Sequence, residues 1–508
     1  MNKYALFFPL LALTGPVAKG QSTFQKYYYG GGTAKANLNE LSSGNLFVGM
    51  AYQSGTSTFD PMGNILNTQC YAIDTFLILQ SVKMITDNEF SFVGGYRKDT
   101  CSTDPPYPEN YPVVGKMDSV GTILTASYYD LNGPECTNTA ADLEILNDGS
   151  AVVWGRKYLS PSTFIMKVGN EGGSVWAKHF SNAGSFQFVK ELPGGDLLVG
   201  LNMAHGGAAL ARLDANGNFI WLKSYIRPAG VVRDCRIESD SSFTVIGYTN
   251  EDNDPGNKLF MMRLNGTGNV QWCKGYDHSG GWASEVAKIV ETLDGSYVVL
   301  GGFGKAFLMK TDMNGDTLWT RASGVGGTYY QVYNLLAHSD GGFLYNGQGF
   351  GLGTFLFKAD SLGHLPCPEH EHVAYVQVQE LFPTDSSFTL TSIDGAVQYP
   401  AYIHDTIYDP VTVIDGCTIT QIPSYSTKKP IRIRPNPTTG QFTVSFEDPL
   451  LADTFYSVYD SMGKLLYQRP LPSGATTAEV DLAWFGKGMY LLKITDPGGV
   501  STERVVVE

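Results

Sequence analysis

Few residues in this chain are spaced for chemistry. His370, Glu371 and His372 place two imidazoles and a carboxylate in three consecutive positions. Two histidines one residue apart can share a strand face, but zinc takes three or four ligands. No partner is identifiable, and Pro366 and Pro368 mark the neighbourhood as a loop. Asp312, Asn314 and Asp316 open like a calcium loop. An EF-hand would carry its later carboxylate at the twelfth position between two helices; here Trp319 and a β-favouring run follow, so the segment reads as a hairpin turn. There is no Gly-x-Ser-x-Gly elbow, His-Glu-x-x-His helix or phosphate loop. A glycosidase or lyase needs two carboxylates at a set separation, and the sequence singles out no such pair. It therefore assigns no catalytic residue, no cofactor-binding residue, no metal ligand and no cofactor.

Composition narrows the partners. Lys and Arg total 35 against 49 Asp and Glu, a net charge of −14. Such a surface repels phosphate backbones, which excludes nucleic acid as the expected partner. Aromatic residues at 12% and 58 glycines in 508 residues imply many strands joined by tight turns, in two or three domains. Lys3, the apolar run 4–13 and the small residues Ala18 and Gly20 predict a signal peptide over 1–20, cleaved before Gln21. That apolar run falls short of the roughly 20 residues a membrane span requires, and no other window approaches one. Export permits disulfides. The seven cysteines, at 70, 101, 136, 235, 273, 367 and 417, contain no Cys-x-x-Cys. Cys101 with Cys136, and Cys367 with Cys417, are the expected pairs, because each brackets an irregular stretch.

What must position any site is a repeat. A turn with Asp, Asn or Gly, then Gly three residues on, then a marked residue four further, recurs seven times. The turns start at Asp60, Asp118, Gly169, Asp214, Asn265, Asp312 and Asp360, spaced by 58, 51, 45, 51, 47 and 48 residues. That period suits one four-stranded propeller blade. A second marker, an apolar strand ending in Gly, keeps the same phase at Gly49, Gly94, Gly155, Gly200, Gly247, Gly301 and Gly347. The central repeats then carry Trp-x-Lys-x-aromatic, as in Trp176, Lys178 and Phe180, or Trp272, Lys274 and Tyr276. Repeat seven breaks at Pro366 and Pro368, where proline cannot continue a paired strand. Phe24, Lys26 and Tyr28 supply the missing match, so the N-terminal strand is expected to complete the last blade and leave no raw edge. The predicted fold is all-β: a seven-bladed β-propeller over 21–368, a β-rich connector and linker over 369–427, and a β-sandwich over 428–508. The tryptophans are expected to pack between blades. The spacing is similar to the tryptophan repeats of quinoprotein and outer-membrane assembly propellers in blade geometry only. The long insertions 97–111, 128–137 and 250–257, with Tyr107 and Tyr111, are where binding specificity is expected.

In 428–508, seven short β-favouring runs alternate apolar and polar residues. Pro435, Asn436, Pro437 and Gly440 stand near the start, then Tyr456, Asp460, Gly463 and Lys464, then Trp484, Gly486, Gly488 and Tyr490. Order, spacing and terminal position resemble the type A C-terminal sorting domain of Bacteroidetes type IX secretion cargo. The resemblance implies passage through the periplasm to the cell surface or medium, with the secretion machinery as partner through this domain. What remains for the ring is a non-catalytic module that binds a glycan or protein, a glycan-active hydrolase or lyase in its central pocket, or a structural surface component. Fold alone does not choose among them.

Overall fold

Short alternating runs separated by glycine-containing turns fold as successive antiparallel hairpins, because such a pair needs only a tight connection. The computed structural model describes residues 21–29, 37–50, 55–72, 77–100, 108–131, 138–157, 163–181, 183–203, 207–226, 230–249, 258–278, 285–302, 304–324, 330–349, 353–367, 371–372, 376–387, 389–390, 392–401, 403–406, 412–415, 431–446, 455–460, 465–472, 474–496 and 499–508. Among these the chain is β-structure, with one 3-10 turn at Ala483–Phe485. It divides into two compact units, Met1–Cys417 and Thr418–Glu508.

The first unit holds seven five-stranded antiparallel sheets. In each of sheets one to six, four strands follow one another in sequence. They run from Leu38–Glu40 to Ile65–Ala72, Leu77–Thr86 to Ile123–Asp130, Asn138–Ile145 to Ser174–Phe180, Ser185–Glu191 to Phe219–Ile226, Val231–Ile237 to Val270–His278, and Glu285–Glu291 to Thr317–Ser323. Sheet seven has three sequential strands, Tyr330–Ala337, Phe343–Gly349 and Gly353–Ala359, and its fourth is Phe24–Tyr29 from the N-terminus. Phe24 lies opposite Lys358 and Tyr28 opposite Thr354, the pairing that the N-terminal match to the repeat predicts. The first strands touch one another in cyclic order, Tyr330–Ala337 meeting Leu38–Glu40. The seam between sheets seven and one is apolar, with Phe24, Tyr28, Leu344 and Leu356 against Leu38, Leu46, Val48 and Phe59.

One junction recurs from sheet to sheet. The glycine in each third-to-fourth turn has positive φ, near +77° at Gly217 and +76° at Gly268, a conformation costly for any side chain. A Cβ there would also strike the tryptophan of the preceding sheet, at 3.0 Å from Trp176 for Gly217 and from Trp221 for Gly268. Where the aromatic two residues past the lysine is a tyrosine, it donates its hydroxyl to a glycine carbonyl of the next sheet. Tyr225 reaches Gly268 at 2.7 Å and Tyr276 reaches Gly315 at 2.6 Å. Phe24 and Tyr28 repeat this against sheet one: Phe24 covers Gly63, and the Tyr28 hydroxyl donates to the Gly63 carbonyl at 2.6 Å. The tryptophans thus pack between sheets, as expected.

The segment after sheet seven is β-rich, and its strands are spent on the sheets. Travelling backwards around the set, it lays a fifth strand on each fourth strand. Glu371–His372 joins sheet six, Val376–Glu380 sheet five, Thr384–Ser387 sheet four, Ser392–Asp394 sheet three, Val397–Pro400 sheet two, His404–Thr406 sheet one and Thr412–Asp415 sheet seven. The lysine of the repeated motif meets an acid on this belt: Lys26 with Asp415 at 3.0 Å, Lys178 with Asp394 at 3.3 Å, Lys223 with Asp385 at 3.0 Å. Each pair is exposed on its acidic side and contributes about 1 kcal/mol or less; backbone pairing along the edge carries the attachment.

The second unit forms two sheets. Ile431–Arg434, Gln441–Phe446 and Thr477–Asp481 make one, and Leu465–Pro470, Phe455–Tyr459, Gly488–Asp496 and Gly499–Val507 the other. Phe442, Val444, Val458, Leu492 and Val505 are buried in one apolar cluster. These are the seven runs marked in the sequence, displaced by a residue or two.

Cys367 is disulfide-bonded, and Cys70, Cys235 and Cys273 are free and buried. Cys101, Cys136 and Cys417 lie outside the described residues, as do the signal peptide 1–20 and the linker 424–429. The belt leaves sheet seven after Cys367 and returns to sheet seven at Asp415. Peptide mapping under non-reducing conditions should recover Cys367 joined to Cys417; recovery of Cys367 with Cys101 or Cys136 contradicts this. Tyr28→Phe should cost about 1–2 kcal/mol in denaturant unfolding, because the buried Gly63 carbonyl loses its donor. An unchanged midpoint would show that the seven–one seam does not use this bond.

Candidate functional site

In six of the seven first strands the register slips at the same place: Leu79/Ser81, Ala140/Asp142, Phe186/Phe188, Val232/Asp234, Val286/Lys288 and Val332/Asn334. A bulge leaves one residue unpaired and re-aims it. The residues so released include Gln187, Arg233 and Tyr333. Arg233 donates to Gln187 Oε1 of the neighbouring sheet at 3.0 Å and lies 5.3 Å from the Tyr248 ring centre. Tyr333 donates to Gln331 Oε1 at 2.9 Å and Gln348 Oε1 at 3.3 Å. This set of aromatic and amide side chains, one group shared by sheets four and five and a second within sheet seven, stands toward the end of the sheets that carries the second-to-third and fourth-to-first connections. No sequence signal revealed it, because a bulge is a property of pairing between strands.

Toward the turn end, polar side chains join successive first strands. Glu144 meets Lys83 at 2.5 Å and Lys190 at 3.2 Å. Arg236 meets Glu291 at 2.5 Å, and Lys288 stands 3.9 Å from Asp234. Glu40 takes the Ser339 amide at 2.9 Å and its hydroxyl. Glu238 accepts from Thr244 at 2.9 Å and Tyr297 at 2.7 Å. Burial pulls the Glu144 carboxyl upward, but Lys83 and Lys190 outweigh it and hold the group at about 2. A carboxylate held ionised by two cations cannot serve as a general acid near neutral pH. Its work is to join three sheets.

Between the first-to-second turns of sheets six and seven a cavity of about 530 Å³ opens, lined in part by Arg236, Glu291, Asp294, Lys310 and His338. The sequence did not anticipate it, since its walls come from three repeats.

Several expected positions are now placed. Asp312 caps its own turn, accepting the Asn314 amide at 2.9 Å and the Asp316 amide at 2.8 Å, while Asp316 binds Lys274 at 2.7 Å. Asp60, Asp214 and Asp360 cap their turns in the same way, so the hairpin reading holds. Tyr111 packs 5.5 Å from Tyr128, which stacks on Tyr399 of the belt at 5.0 Å. Tyr107, His370, the stretch 250–257 and residues 101–107 and 132–137 lie outside the described residues. Among the described residues no three His, Cys, Asp or Glu gather as a metal site.

Residues 432–508 match the family described as the secretion system C-terminal sorting domain. The protein is therefore cargo of the type IX secretion system, exported to the cell surface or the extracellular space. No helix among the described residues is long and apolar enough to cross a membrane. No curated protein is similar in sequence. Among solved structures, the chain is similar to PorZ, a surface component of the type IX secretion system of Porphyromonas gingivalis, with 12% identity over 91% of this chain and 69% of that one, TM-score 0.33. It is also similar to the Pan2 WD40 domain of Neurospora crassa, with 10% identity over 65% and 89%, TM-score 0.40. The polysaccharide lyase Uly1 matches with 12% identity over 66% and 99%, TM-score 0.40.

A Glu144→Gln variant should be less stable by about 3 kcal/mol at pH 7, from the depressed carboxyl and the two lysines left unpaired. The native carboxyl lies below its ordinary 4.5. Its stabilisation is thus full above about pH 4.5 and fades as pH falls toward 2. Denaturant unfolding of both proteins across that window should converge at the acid end. A constant gap would show that charge is not the cause.

Proposed function

We propose that the seven sheets form a closed seven-bladed propeller, completed by the N-terminal strand and girdled by the belt. In this reading the propeller unit ends near Cys417, and the exported ring is a non-catalytic module that binds a glycan or a protein. Support for closure comes from the cyclic contacts of the first strands and the shared Phe24–Gly63 junction. The absence of catalysis is supported by one observation above all. The carboxylates at the turn end of the first strands are committed to cations, hydroxyls or amides of neighbouring sheets, Glu144 most completely. Acid–base hydrolysis or elimination needs a carboxyl poised near working pH and free to exchange a proton. What is left for recognition is a rigid ring with an aromatic and amide cluster at one end and a cavity at the other.

Deleting residues 428–508 should leave the protein in the periplasm, as judged by fractionation; normal secretion would remove the export assignment. The exported chain should bind a saturable ligand on a glycan or protein array without altering it. New reducing ends or unsaturated products from a polysaccharide panel would replace this reading with an enzyme.

A further inference from the structure

One of the junctions between sheets lacks its aromatic cover. At Gly63, Gly217, Gly268, Gly315 and Gly363 an added Cβ would meet Phe24, Trp176, Trp221, Trp272 and Trp319 respectively, at 2.7 to 3.0 Å. At Gly121 other groups take the place, with Thr56, Tyr71 and Gln69 at 2.6, 2.6 and 3.0 Å. Gly172 of sheet three differs. The positions that hold Trp176 and Lys178 in sheet three hold Thr125 and Ser127 in sheet two. An added Cβ at Gly172 would therefore meet only Gln398 Nε2 at 3.5 Å and Ser127 Oγ at 4.0 Å. The other six of these glycines are buried, and Gly172 is half-exposed.

The rest of the junction is built as in its sisters. Tyr129 donates its hydroxyl to the Gly172 carbonyl at 2.5 Å, as Tyr225 does to Gly268. Where the indole is missing, a cavity of about 50 Å³ opens between sheets two and three. Thr125 and Val114 stand on one wall, and Ile145, Val168 and Gly172 on the other. Val175, 59% exposed, lies at the rim beside Gly169.

Size and chemistry select the occupant. A buried water needs about 10–15 Å³, so the space takes a few waters or the edge of one flat ring. The tryptophans of the sister junctions are themselves only half-buried, so an inserted edge is what this geometry accepts elsewhere in the chain. Trp176 also donates its Nε1 to the Ala215 carbonyl at 3.0 Å. Asn170 holds the place of Ala215 in its own turn, so an indole N–H entering here meets an equivalent acceptor. An anion gains little, because the Lys116 ammonium already binds Glu89 and Asn170, each at 2.8 Å. The edge of a sugar would press hydroxyls against Val114, Ile145 and Val168, where they find no partner. Tryptophan is also the residue most favoured as an anchor in pockets at protein interfaces.

We propose that the junction between sheets two and three is a docking slot for a tryptophan side chain presented by a protein partner. The inference rests on the reading of the exported unit as a binding module and deepens it by naming a site and a partner class.

The test uses the full exported chain and two variants that close the slot from within, Thr125→Trp and the smaller Thr125→Phe, which copies Phe24 over Gly63. Both should fold and melt about 1–2 °C higher than the parent; lower melting in both would show that the slot does not accept a ring. Saturation-transfer NMR with N-acetyl-L-tryptophanamide should show saturable, millimolar binding to the parent, weakened at least about fivefold in both variants. No saturable binding, or binding equal in all three proteins, overturns the slot. Methyl β-glucoside binding that both variants block, with none from the indole probe, overturns the occupant. A ligand found by array whose affinity neither variant changes overturns the slot while leaving the binding-module reading intact. A ligand that the chain cleaves removes that reading itself.

Discussion

The contact on which the packing of the seven sheets depends is an aromatic side chain laid over a glycine of the next sheet. A sheet buried on both faces is stable only if each neighbour comes close enough to exclude water. The turn after the third strand is one place of close approach. At Gly217, Gly268 and Gly363 the Cβ of any other residue would meet a tryptophan at 3.0 Å or less. At Gly268 and Gly315 a tyrosine further along the covering strand then satisfies the glycine carbonyl that this close approach removes from water. Apolar packing and polar satisfaction thus occur at one point, and the strand that carries both is always the fourth.

That arrangement explains why the fourth strand is the most constrained element in the chain. Its aromatic residues face the next sheet, its backbone pairs inward with the third strand, and its lysine reaches outward. The belt uses the outward edge. Without it, seven fourth strands would present unpaired amides and carbonyls, the kind of edge that invites pairing with other chains. The belt strands are short, from two residues at Glu371–His372 to five at Val376–Glu380. None would be stable alone. Their stability is borrowed from edges already ordered within the seven sheets.

The legibility of the sequence follows the same division. The turns beginning at Asp60 through Asp360 were visible because a turn-forming residue and a glycine three positions on are required at fixed offsets by local geometry. The seven runs of the sorting domain were visible because Phe442, Val444, Val458 and Leu492 alternate against one apolar core. The N-terminal match was visible because Phe24, Lys26 and Tyr28 repeat a pattern established elsewhere. The belt showed only as β-rich. Val397–Pro400 is exposed at all four positions, so no buried face imposes a period, and its partner is fixed by another strand's edge. The lysines of the Trp-x-Lys motif were noticed without a reason, since their acidic partners are distant in sequence. The cavity and the bulge cluster left no trace, because both are assembled from residues of different repeats whose local patterns are ordinary.

The order of the chain also bears on how the seven sheets can form. Phe24 pairs with Lys358, and the belt can add its strands only to fourth strands that already exist. Contacts this far apart in sequence require most of the chain to be present before they return any stabilisation, which makes completing sheet seven slow compared with forming individual hairpins. The belt visits the sheets in reverse order and reaches sheet seven last, pairing with the strand that itself came from the N-terminus. Sheet seven therefore draws on both ends of the first unit: its fourth strand is Phe24–Tyr29 and its fifth is the last strand of the belt. Phe24–Tyr29 cannot leave sheet seven by losing one edge alone, because it is held between Gly353–Ala359 on one side and Thr412–Asp415 on the other. For an exported protein that works outside the cell, holding the seam from both sides supplies persistence that the separate hairpins lack.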